Sequence, residues 1–400
     1  MEITKNELKK VFTLKNIIIL FIISVLFYRL YIITPSLSNL EDLNKIVATM
    51  VKDYGTSMDE EEYKDFKSKY NDKVKLANEF IKNNKEFSDL DIKDYREFDN
   101  IVRNDGEEKY NNEKLHDLYY KYAEKENNKL LYELQEIENI ILCYEYERSI
   151  DKEPYFDVVS NQNKYSKEKA IVREKELLNN DSRNSLLPYT IFENYDYLIK
   201  RLTTLVIISI VFVMSTIYLK DKLENINYIQ YSSKSGRSIF KKKIVVTILS
   251  TILITSVQLI VFFIYYKTKN NSIFLDCNIS GFFNTPIKSW YDLSFRNYIG
   301  ITIVFVYLIG ISIGLISMYI SSKVSSYISL IGIQVINIFI VNNFLLQILI
   351  NKVSSMYIVI SKIGYVYLPK YFMPTIYTVL IILPLIILYF RNKKELKYNI

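Results

Sequence analysis

Histidine and cysteine, which carry much of the chemistry that proteins do, are scarce in this chain of 400 residues. The one histidine, His116, lies in KLHDLYYKY and is typical of a surface residue on a helix. A zinc site needs about three or four protein ligands, and a Ser-His-Asp or Cys-His arrangement needs a histidine beside its nucleophile. We therefore expect no metal site and no catalytic residues, and we expect that the protein is not an enzyme.

Phosphate-binding chemistry is also missing from the sequence. None of the nine glycines is followed by lysine, so the P-loop pattern G-x-x-x-x-G-K-[ST] does not occur. The acidic runs at 59–62 and 107–108 are typical of solvated faces. If the protein works with ATP and Mg²⁺, a partner must bind them, and we expect no cofactor on this chain.

A basic, polar loop at residues 220–243 stands between two long apolar runs and reads KDKLENINYIQYSSKSGRSIFKKK. Its basic residues are Lys220, Lys222, Lys234, Arg237, Lys241, Lys242 and Lys243. Lysine and arginine close to membrane-spanning helices stay in the cytoplasm. The loop is therefore predicted to face the cytoplasm, where a partner can reach it.

Six apolar runs are each close to the roughly 20 residues that a helix needs to cross a bilayer. They lie at about 15–33, 198–219, 243–266, 298–320, 325–349 and 372–390. The sequence therefore predicts an all-α, polytopic membrane protein with six transmembrane helices. Pro384 is expected to kink the last of them.

Both termini of a six-helix protein lie on one side of the membrane, and the basic tail at 391–400 places that side in the cytoplasm. We predict a multi-pass protein of the cytoplasmic membrane, with both termini inside. The net charge of +7 suits loops that meet anionic membrane lipid. No basic patch has base-stacking aromatic residues at useful spacing, so nucleic acid is not an expected partner.

The predicted domains are 1–34, with an interfacial helix and the first transmembrane helix, 35–197, a helical extracytoplasmic domain, and 198–400, five further transmembrane helices. Within 35–197, apolar residues recur at helical spacing over 43–54, 63–81, 130–144 and 170–178. Gly55 is expected to end the first of these helices, and Ser57 with Glu60 reads as a capping box that opens the second. An interfacial or re-entrant helix is expected within 350–371. Cys143 and Cys277 fall on the predicted outer face, and the sequence leaves open whether they pair.

Small and amide side chains mark two of the predicted crossings. Gly310 and Gly314 form a small-xxx-small pattern, which serves helix packing within a chain or between subunits. Gln334, Asn337 and Asn342 would be costly facing lipid, so they are expected to face protein or a wet pathway. No acidic or basic residue lies well inside the last five crossings, which disfavours an ion-coupled carrier.

The order of these features resembles an ABC-2 type transporter permease. The resemblance rests on the single crossing, the large outer domain, the five further crossings and the loop Glu224…Tyr231-Ser-Ser-Lys-Ser-Gly-Arg237…Lys243. In that family, the loop between the second and third crossings carries a coupling helix that docks on a nucleotide-binding subunit. The resemblance implies that Glu224, Ser233, Lys234, Gly236, Arg237 and Lys243 contact this ABC ATPase subunit. Where many members have a proline, this loop has Tyr-Ser-Ser-Lys-Ser.

The function that the resemblance implies is a permease subunit, working with a second copy or a paralogue, that exports a peptide, lipid or other amphipathic substrate with energy from a separate ATPase. Two alternatives stay open. One is a membrane-anchored sensor or immunity protein, and the other is a component of a cell-envelope or secretion machine. Substrate identity, direction of transport and homodimer against heterodimer are left open by the sequence.

Overall fold

The computed structural model of the chain describes residues 2–33, 41–104, 114, 117–118, 121–122, 129–149, 164–178, 180–226, 239–281, 289–346, 355–360 and 364–398. These residues are mainly helical. The helices of the first half are α1 (Glu2–Val11), α2 (Leu14–Phe27), α3 (Glu41–Tyr54), α4 (Glu60–Lys82), α5 (Lys85–Ser88), α6 (Tyr95–Asn104), α7 (Lys129–Ser149) and α8 (Lys164–Leu178). The second half contains α9 (Tyr189–Met214), α10 (Thr216–Leu223), α11 (Ile239–Lys267), α12 (Phe295–Lys323), α13 (Tyr327–Ile340), β1 (Tyr357–Ile360), β2 (Gly364–Tyr367) and α14 (Phe372–Tyr398).

Five helical segments are long and apolar enough to cross a membrane: Leu14–Ile33, Tyr189–Leu223, Ile239–Lys267, Phe295–Lys323 and Phe372–Arg391. Each contains one of the predicted runs. The remaining run, at 325–349, forms the shorter apolar helix Tyr327–Asn343, and residues 347–349 lie outside the described part of the chain. The protein is therefore a membrane protein with five candidate spans, and a sixth span remains a prediction.

The helix α12 lies at the centre of the bundle, where it packs against α9, α11 and α14. Burial differs strongly among the spans: 72% of the apolar stretch in Tyr189–Leu223 is buried, against 11% in Leu14–Ile33. The first span therefore lies at the edge of the bundle, with most of its side chains facing outward. We call the end of the bundle near residues 220–243 the loop end, and the end that carries α3–α8 the domain end.

The N-terminal helix α1, for which the sequence predicts an interfacial position, also contacts the helix bundle. It packs against α11, and Glu7, on one of its faces, is 3% exposed. A buried carboxylate needs partners from the protein, since the membrane interior supplies none. The helix α1 therefore packs into the helix bundle, and its interfacial position stays a prediction.

Helices occupy the predicted positions between the first two spans. Gly55 has a φ of +88°, which glycine adopts without strain, and it follows the last residue of α3. The predicted capping box is wrong by two residues: the Asp59 side chain accepts from the Glu61 and Glu62 amides, and the Glu62 side chain accepts from the Asp59 amide. Asp59 is the better N-cap residue, because its carboxylate places a negative charge at the positively polarised N-terminus of α4.

The helices at the domain end enclose two apolar cores. One core continues from the spans into α3 and α7, through Val47, Met50, Ile137 and Tyr144. A second, separate core includes Ala77, Ile81, Phe87, Phe98 and Leu134 from α4 to α7.

The chain between α8 and α9 joins the domain end to the spans. The Met58 amide donates to the Asn184 carbonyl at 3.0 Å, and the Leu186 amide donates to the Thr56 carbonyl at 3.0 Å. Gly281 lies against this segment so closely that a Cβ would come within 2.4 Å of the Ser185 carbonyl oxygen.

The segment before the last span contains strands where a helix is predicted. β1 and β2 form an antiparallel hairpin in which Tyr357 pairs with Tyr367 and Ile360 with Gly364. Valine, isoleucine and tyrosine favour strands, and Gly364 begins the second one. The prediction of an interfacial or re-entrant helix within 350–371 is therefore wrong, and the fold is all-α except for this two-stranded sheet.

Acid should weaken the contact between α4 and α7. Glu145 accepts hydrogen bonds from Lys67 Nζ at 2.6 Å and from the Tyr63 hydroxyl at 2.7 Å, and these bonds hold its pKa below the usual 4.5. Because the folded pKa is the lower one, this stabilisation is present above about pH 4.5 and is lost as the pH falls through the folded pKa. In full-length protein, the thermal midpoint followed by circular dichroism is expected to drop between about pH 5 and pH 3.

The variant Glu145→Gln is expected to show a shallower pH dependence. Glu79→Gln, on the exposed side of α4, serves as its control and should follow the wild type. Equal pH dependence in all three proteins would show that the Glu145 contacts do not contribute.

Candidate functional site

The predicted coupling loop begins where α10 ends. The Glu224 amide donates to the Lys220 carbonyl at 3.0 Å, and the next residue, Asn225, has a φ of +57°. A residue in this left-handed conformation ends many helices. Glu224 is exposed there and is accessible to a partner. Ser233, Lys234, Gly236 and Arg237 lie outside the described residues.

Lys243, the last residue of the predicted loop, is buried in the first turns of α11 with a side-chain exposure of 0%. Its Nζ donates to Asp221 Oδ2 and to the Ile217 carbonyl, each at 2.6 Å. The same ammonium lies 4.1 Å from the centre of the Tyr218 ring, within the range of a cation–π contact. Lys243 therefore joins the end of one span to the start of the next.

The N-terminal helix completes this arrangement with two further charges. Lys10 Nζ donates to Glu7 Oε1 at 2.7 Å and to Asp221 Oδ1 at 3.1 Å. Glu7 Oε2 lies 3.8 Å from Lys243 Nζ. Two carboxylates and two ammonium groups thus balance one another, and we call Glu7, Lys10, Asp221 and Lys243 the ion cluster.

The geometry of the ion cluster favours the charged form of Lys10. Burial alone would lower the pKa of Lys10, but hydrogen bonds and charge from Glu7 and Asp221 outweigh it, so the pKa is raised. Removing one member of a buried ion pair leaves an uncompensated charge and typically costs about 3–5 kcal/mol. The ion cluster therefore fixes the positions of α1, α10 and α11 relative to one another rather than adding net stability to the fold.

The helix α10 is also fastened to the loop end of α12. The amides of Tyr218 and Leu219 donate to Ser321 Oγ at 3.1 and 3.2 Å. Lys222 Nζ donates to the carbonyls of Ser322 and Val324 at 2.9 and 3.0 Å, which suits a cation at a helix C-terminus. A displacement of α10 would consequently displace the loop end of α12 as well.

The last span, Phe372–Arg391, also contacts α10. The Arg391 guanidinium lies 5.3 Å from the centre of the Tyr218 ring and 5.2 Å from that of Phe240. The helix α10 ends the second span, and α1 and three other spans therefore contact it within one or two turns of the predicted coupling loop.

The helices α9 and α10 follow one another in a single span and meet at Ser215. The Ser215 hydroxyl donates to the Val211 carbonyl at the junction of α9 and α10. Serine that bonds back to the preceding turn often bends a helix.

Gly310 and Gly314 lie where α12 crosses α9 and α11. A Cβ on Gly314 would stand 2.7 Å from Thr251 Oγ1 and 3.3 Å from Ile210 Cγ2. On Gly310 it would stand 3.1 Å from Ile210 Cδ1. The two glycines thus allow close approach of helices within the chain.

The amide residues of α13 and its π-helical continuation, Val341–Leu345, contact protein. Ser317 Oγ donates to Gln334 Oε1 at 3.4 Å, and Asn337 Nδ2 donates to the same oxygen at 3.4 Å. Thr204 Oγ1 donates to Asn342 Oδ1 at 2.8 Å. These amides join α13 and its π-helical continuation to α12 and α9, so their contacts are with protein.

Both cysteines lie within the described part of the chain. Cys143 is exposed and Cys277 is buried, and both are thiols. Burial raises the pKa of the Cys277 thiol to about 12, so it is protonated at neutral pH. No group of histidine, cysteine, aspartate and glutamate suited to a metal ion is found among the described residues, and His116 lies outside them.

Sequence reasoning missed Glu7 and Asp221, and it assigned Lys243 only to the loop. A signal was available: Asp221 is the one acidic residue among the lysines that end the second span, and Lys243 begins the third. Opposite charges at the facing ends of consecutive spans are a reason to expect a pair. Comparison with family models, with curated proteins and with solved structures gives no match for this chain.

Proposed function

We propose that the chain is the membrane subunit of an ATP-driven transporter of the ABC-2 type, with both termini and the loop 220–243 in the cytoplasm. The single observation that carries the proposal is the convergence of α1 and three other spans on α10, directly beside the exposed Glu224. A device that converts the closure of an ATPase into movement of the spans needs such a junction, because rigid helices transmit displacement only through packed contacts. The described residues carry no ATP-binding pattern, so the ATPase would be a separate subunit.

In this proposal the ATPase contacts residues 224–240, and its closure displaces α10. The ion cluster keeps α1, α10 and α11 together during that movement, and Lys222 carries it to α12. The exported substrate would be a peptide, a lipid or another amphipathic molecule, and a second copy or a paralogue would supply the other half of the pathway.

The test exchanges charge at the two predicted contact residues. Glu224→Lys and Arg237→Glu are each expected to abolish co-purification with the ATPase encoded beside the gene, while the protein still inserts into the membrane. The reason is that each substitution reverses a charge on the loop, and Glu224 is exposed at the end of α10. Lys82→Glu, on the exposed surface of the domain end, is the matched control and should leave association unchanged.

Association that survives both loop substitutions would contradict the coupling assignment. If no ATPase associates with the wild-type protein at all, the sensor or immunity protein becomes the better assignment, because the helices at the domain end would then be its main binding surface. Co-purification with secreted proteins in place of an ATPase would favour the envelope or secretion component.

A further inference from the structure

The side of α11 that faces the interior of the bundle is polar. Positions 247, 250, 251, 254, 255 and 258 follow one another at steps of three and one, which places them on one side of a helix, and all six are buried. Five of these residues are polar: Thr247, Ser250, Thr251, Thr255 and Gln258. The exposed side of the same helix carries large apolar residues. The helix therefore turns its polar side away from the lipid, and we call the five polar residues the polar seam.

Much of the hydrogen-bonding capacity of the polar seam is unused. A serine or threonine hydroxyl within a helix can bond to the carbonyl of the preceding turn. Thr203 in α9 does so, since its Oγ1 donates to the Ile199 carbonyl at 2.7 Å. In the seam, four buried atoms have no hydrogen-bond partner among the described residues: Ser250 Oγ, Thr251 Oγ1, Thr255 Oγ1 and Gln258 Oε1.

Two of these hydroxyls face the glycines of α12. A Cβ on Gly314 would stand 2.7 Å from Thr251 Oγ1, and one on Gly310 would stand 3.3 Å from Thr255 Oγ1. A water oxygen needs about 2.7–2.8 Å to a hydroxyl oxygen alone. Contacts this close therefore leave no space for water between hydroxyl and glycine, and we call this packing the closed seam.

The closed seam is energetically costly. A buried polar atom without a partner has lost its hydrogen bonds to water and has gained none in return. The hydrocarbon core supplies no partner either. Alanine and valine at the same positions would pack against α12 without this cost. Water between α11 and α12 would remove the cost, because it would supply the missing hydrogen bonds.

The polar seam begins close to the loop end. Thr247 Oγ1 donates to the Lys243 carbonyl at 2.9 Å, so the seam starts one helical turn from the ion cluster. Its other end is Gln258, whose Nε2 donates to Ser209 Oγ of α9 at 2.7 Å. From Thr247 to Gln258 the helix rises by about 16 Å, roughly half of a hydrocarbon core of about 30 Å.

We propose that the polar seam opens between α11 and α12, and that its unpartnered atoms then bind water that enters from the loop end. The five side chains are uncharged, so the open seam suits water and other uncharged hydrogen-bonding groups. Weak bonds from the Cα–H groups of glycine to the hydroxyls could account for Thr251 and Thr255 in a seam that stays closed. They leave Ser250 and Gln258 unexplained. The inference goes beyond the proposed transporter function, because water entry needs no ATPase.

The first test measures thiol labelling in full-length protein held in lipid nanodiscs. Cys143→Ser removes the exposed thiol and gives the background rate of the buried Cys277. In that protein, Ser250→Cys reports the seam, and Leu253→Cys, 52% exposed on the lipid side of the same helix, is the matched control. The reagent is 2-hydroxyethyl methanethiosulfonate, which reacts with the thiolate that forms only in water. Ser250→Cys is expected to react about tenfold faster than Leu253→Cys.

The second test removes hydroxyls from the polar seam. Thr251→Val with Thr255→Val is expected to raise the thermal midpoint and to slow labelling of Ser250→Cys about tenfold, because apolar side chains favour the closed seam. Thr203→Val, which removes a buried hydroxyl that has a partner, should do neither. Equal labelling of the two cysteine variants would overturn the proposal. So would unchanged labelling of Ser250→Cys in the double valine variant, or a lower midpoint in that variant, which is the result that weak bonds from the glycines predict.

Discussion

Replacing Lys243 with methionine is expected to lower the free energy of unfolding by about 3–5 kcal/mol, because the buried Asp221 would lose its nearest counter-charge and Lys10 alone would face two carboxylates. Lys243 is 0% exposed, and methionine fills nearly the same space, so the loss reports the charge rather than a cavity. Thermal unfolding in detergent, followed by size-exclusion chromatography of heated samples, measures the effect.

Lys241→Met is the matched control for this change, since Lys241 is exposed two residues away in the same helix. The double variant Asp221→Asn with Lys243→Met removes both charges and is expected to recover a large part of the loss, because an apolar or neutral pair avoids the uncompensated buried ion. If Lys243→Met is as stable as Lys241→Met, the ion cluster does not exist as described.

Placing a leucine at Gly314 is expected to cost about 1–3 kcal/mol or more, because the helices α9, α11 and α12 have no space for a side chain there. Even a single Cβ would stand 2.7 Å from Thr251 Oγ1 and 3.3 Å from both Ile210 Cγ2 and Thr247 Cγ2. The unfolding midpoint in detergent is expected to fall by several degrees.

The control substitution is Gly332→Leu, where a Cβ meets nothing within 4 Å. Leucine is a better helix former than glycine, so this variant should be at least as stable as the wild type. Adding Thr251→Ala to Gly314→Leu removes the nearest atom, Thr251 Oγ1, and should restore part of the loss. Similar stability of the two glycine variants would contradict the close packing of α12.

The five long spans could be predicted from the sequence because their signal is local: a run of apolar residues of sufficient length needs no partner to be recognised. The helices beginning at Glu41, Glu60 and Lys129 followed from apolar spacing in the same way. The capping box was misplaced because Ser57 and Asp59 both suit the position, and only the backbone decides between them.

The hairpin from Tyr357 to Tyr367 was mistaken for a helix because a short apolar run does not distinguish the two structures. The ion cluster was only partly predictable, for a different reason. Asp221 and Lys243 stand at the facing ends of consecutive spans, whereas Glu7 belongs to a separate element and reads in the sequence as an ordinary charge near a span. Only tertiary packing brings them together, and burial then changes what they do.

The ion cluster also sets an order of events during synthesis. Lys10 and Asp221 are separated by 211 residues, so at about 5–20 residues per second the N-terminal helix waits roughly 10–40 s for its partner to be made. During that time Glu7 has Lys10 beside it in α1 but lacks Lys243 of α11, and Lys10 lacks Asp221 of α10. Its apolar side, with Leu8 and Val11, can rest on the membrane surface through this interval. The interfacial position predicted for α1 would then apply to the nascent chain, and the burial of Glu7 to the folded protein.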